Sequence, residues 1–173
     1  MPRLARATIV ALALAAPVAL AQQPEEPRIS TAPPAVATGF ISTMSVRHLF
    51  VIESADLADK RQPGAKLHEL AAMLRQDHRS ALAALQQATD KAGLPPPEDE
   101  LGSRHQAELD DLREHDATTF GATFVSLQRA VNSEAIAIVE RYATHGRIRS
   151  LRTYARDLLP TLQRHDEALR QAR

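Results

Sequence analysis

Apolar residues recur at helical spacing in four long segments of the chain, and no stretch shows the strict alternation of a half-buried strand. These segments span about 39–60, 65–92, 117–145 and 148–171. A shorter helix to about residue 115 is predicted after Ser103 and Gln106, which are spaced as in a capping box. The pattern therefore predicts an all-α fold with four long helices and one extra short helix.

Glycine and proline separate the segments. "QPG" at 62–64, "GLPPP" at 93–97 and Gly146 each end a helical pattern. Pro160 lies inside the last segment, where it removes a backbone donor and is expected to kink or restart the helix. Because short connections favour antiparallel neighbours, we expect an up-down four-helix bundle.

Ionisable side chains interrupt three of the four apolar stripes. Glu53 lies on the stripe of the first segment, His78 on that of the second and His165 on that of the fourth. Asn132 lies at the edge of the third stripe. Asp77 points about 100° away from His78 around its helix, so we expect it at the surface or against a neighbouring helix. The sequence thus predicts a polar cluster of Glu53, His78 and His165 in the bundle core.

Two interpretations of this cluster stay open. A buried carboxylate needs a partner or a raised pKa, and facing helices can supply hydrogen bonds that fix their register. Alternatively, Glu53, His78 and His165 bind Zn, Fe or Mn, with Asn132 and water completing the shell. The cluster members could also lie in water at the bundle ends. The other histidines are predicted to be on the surface: His48, His68, His105, His115 and His145.

Composition excludes several function classes. The formal net charge is zero, which argues against nucleic-acid binding, and 44% of the residues are hydrophobic but only 3% are aromatic. There is no cysteine, and neither a Gly-x-Ser-x-Gly elbow nor a glycine-rich phosphate loop occurs. No catalytic residue or cofactor-binding motif is therefore predicted, and a non-enzymatic role is favoured. The cofactor is either none or a divalent transition metal.

The N-terminal residues have the pattern of an export signal. A short basic region precedes the apolar run "ATIVALALAAPVAL", and "ALA" at 19–21 fits a cleavage site. We expect a signal peptide at 1–21, a disordered leader at 22–37 and a helical domain at 38–173. The alternative is a membrane anchor, although the apolar run is short for a stable span. The expected location is the periplasm or the exterior of a bacterial cell, with an unknown envelope partner.

Four stretches resemble domain of unknown function 4142, an exported bacterial family with a ferritin-like bundle that is often labelled "predicted outer membrane protein". They are "RHLFVIESADLA", "AAMLRQDHRSALAAL", "TTFGATFVSLQRAVNSEAIAIVERYATHG" and "LLPTLQRHDEAL". The resemblance implies an inward Glu at Glu53, an Asp-His pair at Asp77 and His78, and a terminal His at His165.

Three positions depart from the family pattern. Gly121 and Phe124 stand where an acid and a tyrosine are usual, and Asn132 stands where a histidine is usual. Since an amide is a poor ligand for Zn or Fe, the departure at Asn132 weakens the metal interpretation. We therefore expect an exported structural, stress-related or interaction module, with metal binding or metal-dependent redox chemistry as the alternative. Association with a membrane surface is the third hypothesis, and net neutrality argues against it.

Overall fold

The computed structural model describes residues 35–61 and 64–172. They form five helices: α1 (Ala35–Arg61), α2 (Ala65–Lys91), α3 (Ser103–Glu114), α4 (Phe120–His145) and α5 (Arg149–Gln171). Every helix end lies within a few residues of its prediction, and no strand occurs in the described part of the chain. The predicted all-α fold is confirmed. The predicted signal peptide and nearly all of the leader lie outside the described residues, while 35–37 already belong to α1.

The four long helices form a square in which α1 and α5 each pack against both α2 and α4. Side-chain pairs give the directions, because rising numbers on α1 meet falling numbers on its neighbours. These pairs are His48–His78 and Asp56–Arg75 toward α2, and Arg47–Glu134 and Ser54–Gln128 toward α4. Consequently α2 and α4 both run antiparallel to α1 and parallel to each other.

Helix α3 lies in the connection from α2 to α4 and returns the chain along the bundle, so that α4 can start at the same end as α2. The ring of His105 meets the ring of Phe50, and Arg61 donates to the backbone carbonyl of Arg113, so α3 runs parallel to α1. One long crossover of this kind is the connectivity of ferritin-like bundles. The extra short helix predicted from the sequence is thus the crossover, and the two halves of the bundle are the hairpins α1–α2 and α4–α5.

The apolar core is divided into two clusters at opposite ends of the bundle. The Phe40 cluster joins the first half of α1 to the second half of α2, and the Phe50 cluster joins the remaining halves of both helices. Between the clusters, four buried polar side chains, one from each long helix, lie at the same level, and we call this set the polar layer: His48, His78, Asn132 and His165. The packing thus alternates apolar, polar and apolar along the bundle axis.

The inward face of α5 is the one predicted, since all five of its stripe residues are buried: Leu151, Ala155, Leu158, Leu162 and Leu169. The face of α1 differs from the prediction. Phe50 is buried as expected, but Leu49 and Leu57 are only partly buried, and Met44 and Val51 point inward instead. The buried face is therefore rotated relative to the stripe of large aliphatic residues.

Helix ends follow local backbone chemistry. Gly93 has φ 64° after α2, and the amides of Gly93 and Leu94 donate to the carbonyls of Asp90 and Thr89, which is a Schellman motif. The predicted capping box is wrong, because Gly102 is the N-cap of α3 and no side chain caps it. Helix α5 continues through Pro160 without the restart that was considered.

None of the helices within 35–61 and 64–172 combines the length and apolar character that crossing a membrane requires. Their outer faces carry ion pairs, such as Arg79 with Asp56 at 3.4 Å. Exposed pairs of this kind contribute little to stability, on the order of 0–1 kcal/mol. The fold therefore depends on the core and the polar layer.

Two glycine substitutions should change stability in opposite directions. Gly93→Ala places a side chain in the left-handed region and should cost roughly 1–2 kcal/mol. Gly39→Ala lies inside α1, where an added Cβ meets nothing within 4 Å, and should stabilise by about 0.5–1 kcal/mol. Urea denaturation of both variants checks the pair, and equal stabilities would contradict the assigned ends of α1 and α2.

Candidate functional site

Three histidines from three helices meet in the middle of the bundle. His48 of α1 and His165 of α5 are fully buried, and His78 of α2 is 5% exposed. The rings of His48 and His78 lie edge to face with centroids 5.0 Å apart, and the rings of His78 and His165 are stacked at 5.3 Å. Each helix presents its histidine here because the residues one turn before and after it belong to the apolar clusters.

A continuous chain of hydrogen bonds runs through His48. Its Nε2 lies 2.5 Å from the hydroxyl of Tyr154, and its Nδ1 lies 2.9 Å from Nδ1 of His78. Burial raises the pKa of Tyr154, so the hydroxyl keeps its proton and can donate to His48. His48 then carries its hydrogen on Nδ1 and donates to His78. The hydrogen bonds from Tyr154 to His48 and from His48 to His78 therefore join α5, α1 and α2 through neutral groups alone.

His165 is held separately by Asp77. Nε2 of His165 donates to Oδ2 of Asp77 at 2.8 Å, and Arg164 donates to the same oxygen at 2.8 Å. Burial alone would raise the pKa of Asp77, but the bonds from His165 and Arg164 hold it below its ordinary value. Nδ1 of His165 is buried and has no hydrogen-bond partner among the described residues. This nitrogen is therefore left with a free lone pair inside the core.

Burial keeps the three imidazoles uncharged. It lowers the pKa of His48 to about 3 and that of His78 well below the ordinary value, with further lowering by the neighbouring histidines. It also lowers the pKa of His165, although Asp77 acts in the opposite direction. Near neutral pH the centre of the site is therefore polar but neutral. Its charges, on Asp77 and Arg164, lie at the periphery.

The structure brings together two of the three residues predicted for the cluster. His78 and His165 are in ring contact, and Asp77 packs across to α5, which is one of the two positions expected for it. The expected burial of Glu53 is wrong, because this side chain is exposed. Its place in the polar layer is taken by His48, five residues earlier on α1.

Asn132 is buried in the polar layer and binds the backbone of α5. Its amide nitrogen donates to the carbonyl of Leu162 at 3.0 Å, while its Oδ1 is buried without a partner within the described part of the chain. This bond fixes α4 against α5 one turn from His165. The contact is structural, and it differs from the supporting ligand role considered from the sequence.

Sequence reasoning missed His48, Tyr154 and the burial of His105. His48 and His105 were expected on the surface, but their exposed fractions are 0% and 9%. A signal for His48 exists, since it lies four residues after Met44 and three before Val51, which is helical spacing. The larger aliphatic residues on the adjacent face of α1 obscured this signal.

Within residues 35–61 and 64–172, no group of three or more histidine or acidic side chains is arranged to hold a metal ion. The distance between Nδ1 of His48 and Nδ1 of His78 is one reason why these histidines are not arranged as a metal site. Two nitrogens on one tetrahedral zinc lie about 3.3 Å apart, given zinc–nitrogen distances near 2.0–2.1 Å. At 2.9 Å, His48 and His78 are hydrogen-bonded to each other instead.

Comparison with known proteins agrees with the fold. The solved structure described as "Crystal structure of DUF305 fragment from Deinococcus radiodurans" is similar, with a TM-score of 0.69 and 16% identity, covering 80% of this chain and 97% of that chain. Identity this low shows a shared fold alone. No curated protein matches the chain. The family model described as "Domain of unknown function (DUF4142)" matches residues 21–172, so the chain belongs to the DUF4142 family.

Proposed function

We propose that the chain is an exported, non-enzymatic helical-bundle module in which the polar layer fixes the register of the helices for a structural, stress-related or interaction role. The observation that carries this proposal is the hydrogen-bonded chain Tyr154–His48–His78, which links three helices across the buried core. Each of its contacts requires one particular axial position of each helix. A module that presents a surface to a partner benefits from a single rigid arrangement.

The electrostatics of the site favour this role over catalysis. A general base works best with a pKa near the operating pH, and His48 has a pKa of about 3. His48 and His165 are also fully buried, so no substrate reaches their nitrogens without opening the bundle. These groups act as neutral hydrogen-bonding side chains.

Metal binding is the second candidate, and one contact favours it. A histidine that binds a metal commonly donates its other ring hydrogen to a carboxylate, which orients the ring. Asp77 holds His165 in this way and leaves Nδ1 of His165 free. Binding would require the bond between His48 and His78 to be replaced by bonds to the metal.

Removing the hydroxyl of Tyr154 should expose the importance of the hydrogen-bonded chain. Tyr154→Phe leaves Nε2 of His48 buried without a partner and should destabilise the fold by roughly 1–3 kcal/mol. Tyr142→Phe is the matched control, because Tyr142 is the other tyrosine of the chain and its hydroxyl bonds to no histidine among the described residues. Urea denaturation at neutral pH measures both, and equal losses in the two variants would argue against the network.

Acid should weaken the fold through the buried imidazoles. A histidine with a lowered folded pKa contributes its full stability above the unfolded pKa near 6.5, and this stability is lost as the pH falls below that value. For His48 the loss continues down to about pH 3. The lowered pKa of Asp77 matters only below its ordinary value of 3.8.

Between pH 7 and pH 5, the free energy of unfolding should fall by about 2 kcal/mol through His48 alone, at 1.36 kcal/mol for each pH unit below the unfolded pKa. Urea denaturation at both values measures the loss. His48→Gln should reduce the pH slope, whereas His145→Gln, at an exposed histidine, should retain more of it. A stability that is the same at pH 7 and pH 5 would show that the imidazoles are not buried as neutral groups.

Titration with zinc chloride distinguishes the second candidate from the first. If the polar layer binds metal, a protein without a histidine tag should take up about one equivalent and melt at a higher temperature, by mass action on the folded state. His165→Gln should abolish the shift, and His145→Gln should leave it intact. Stoichiometry well below one with no melting shift would eliminate the metal site and retain the structural role.

A further inference from the structure

A groove with a cavity volume of about 660 Å³ lies between α2 and α5, beside the polar layer. Its volume falls in the range of small-molecule sites, roughly 300–1,000 Å³. Buried Ala81, Ala88 and Leu158 form its floor, and exposed Ala84 lies on its wall. The three alanines of α2 therefore form a narrow apolar strip along the groove.

Both walls of the groove combine apolar and polar side chains. Helix α5 presents Thr153, Asp157 and Thr161, which follow one another by one turn along the rim. Helix α2 contributes Ala81, Ala84 and Ala88 along the same length, with Ser80 and Gln87 beside them. An occupant would therefore contact a strip of methyl groups bordered by polar side chains, which suits an elongated amphiphile.

Positive charge is concentrated at one end of the groove. Lys91 ends α2 and Arg149 begins α5, and the antiparallel packing places both at the same end. Ser150 joins α5 to α2 at this end by donating to the carbonyl of Ala88 at 2.7 Å. Both basic side chains are exposed and face the solvent around the groove mouth. An anionic group is favoured there.

At the opposite end of the groove, the one negative charge is already paired. Asp77 lines that end, but its carboxylate already accepts from His165 and Arg164. Asp157 lies about 12 Å along α5 from Arg149, at 1.5 Å per residue. The Asp157 carboxylate would repel a second anionic group in the middle of the groove. The charge pattern therefore favours a ligand with one anionic end.

We propose that the groove binds an elongated amphiphile with a single anionic headgroup, of the class of straight-chain carboxylates. The headgroup lies between Lys91 and Arg149, and the hydrocarbon chain lies on Ala84 and Ala81 toward Tyr154. This binding activity goes beyond the structural role proposed for the polar layer. Tyr154 lines the groove and also bonds to His48, so the bound chain would rest against the polar layer.

Calorimetric titration with dodecanoate, below the concentration at which it forms micelles, tests the proposal. We expect saturable binding of one molecule per chain. Dodecyltrimethylammonium, with the same chain and the opposite charge, should bind at least about tenfold more weakly, as expected for the loss of a modest charge interaction. Equal affinity for the two amphiphiles, or equal affinity for acetate alone, would overturn the proposal.

Three variants locate the binding. Ala84→Trp should fill the groove and reduce the affinity for dodecanoate by at least about tenfold. Ala122→Trp is the matched control, because Ala122 is an exposed alanine on α4 outside this groove, and it should leave the affinity unchanged. Lys91→Glu combined with Arg149→Glu changes exposed residues only and should weaken binding even if Ala84→Trp does not fold. Unchanged affinity in this double variant would overturn the assigned headgroup site.

Discussion

The arrangement of this bundle depends on a layer of four polar side chains, one from each long helix, between two apolar clusters. A buried polar group without a partner costs on the order of 1–3 kcal/mol in proteins. Helix positions that break the hydrogen bonds of the layer are therefore disfavoured. Tyr154 supplies the donor at one end, and His48 passes the chain of bonds to His78. Asn132 binds α5 directly. The layer is neutral inside, and the charges that hold His165 lie toward the surface.

Two residues that hydrogen-bond to the polar layer also line the groove. Tyr154 donates inward while its ring lines the groove, and Asp77 accepts from His165 while it lines the opposite end. A molecule in the groove would therefore touch Asp77, which joins α2 to α5, and Tyr154, which joins α5 to α1. Occupancy of the groove and the stability of the layer are physically connected, because both depend on the separation of these two helices.

The sequence predicted the helices well and the site only in part. Helix lengths and ends follow from local spacing, glycine and proline, which is why Gly93 and Gly146 ended helices where expected. The rotation of α1 was harder to predict, because a stripe of large aliphatic residues competes with the face that the bundle buries. That error placed Glu53 inside and left His48 outside. Tyr154 could not be assigned a role, since its bond to His48 joins residues 106 positions apart.

The polar layer disfavours alternative registers of the four long helices. Both apolar clusters consist mainly of leucine, alanine, valine and phenylalanine, so sliding one helix by two turns, about 10 Å, would still place apolar residues against apolar residues. Such a shift would move His78 into an apolar cluster and separate it from His48. The resulting loss of partners penalises the wrong register, as a single buried polar residue does in coiled coils. In a chain with no cysteine, and therefore no disulfides, this penalty helps to select one packing from several of similar apolar burial.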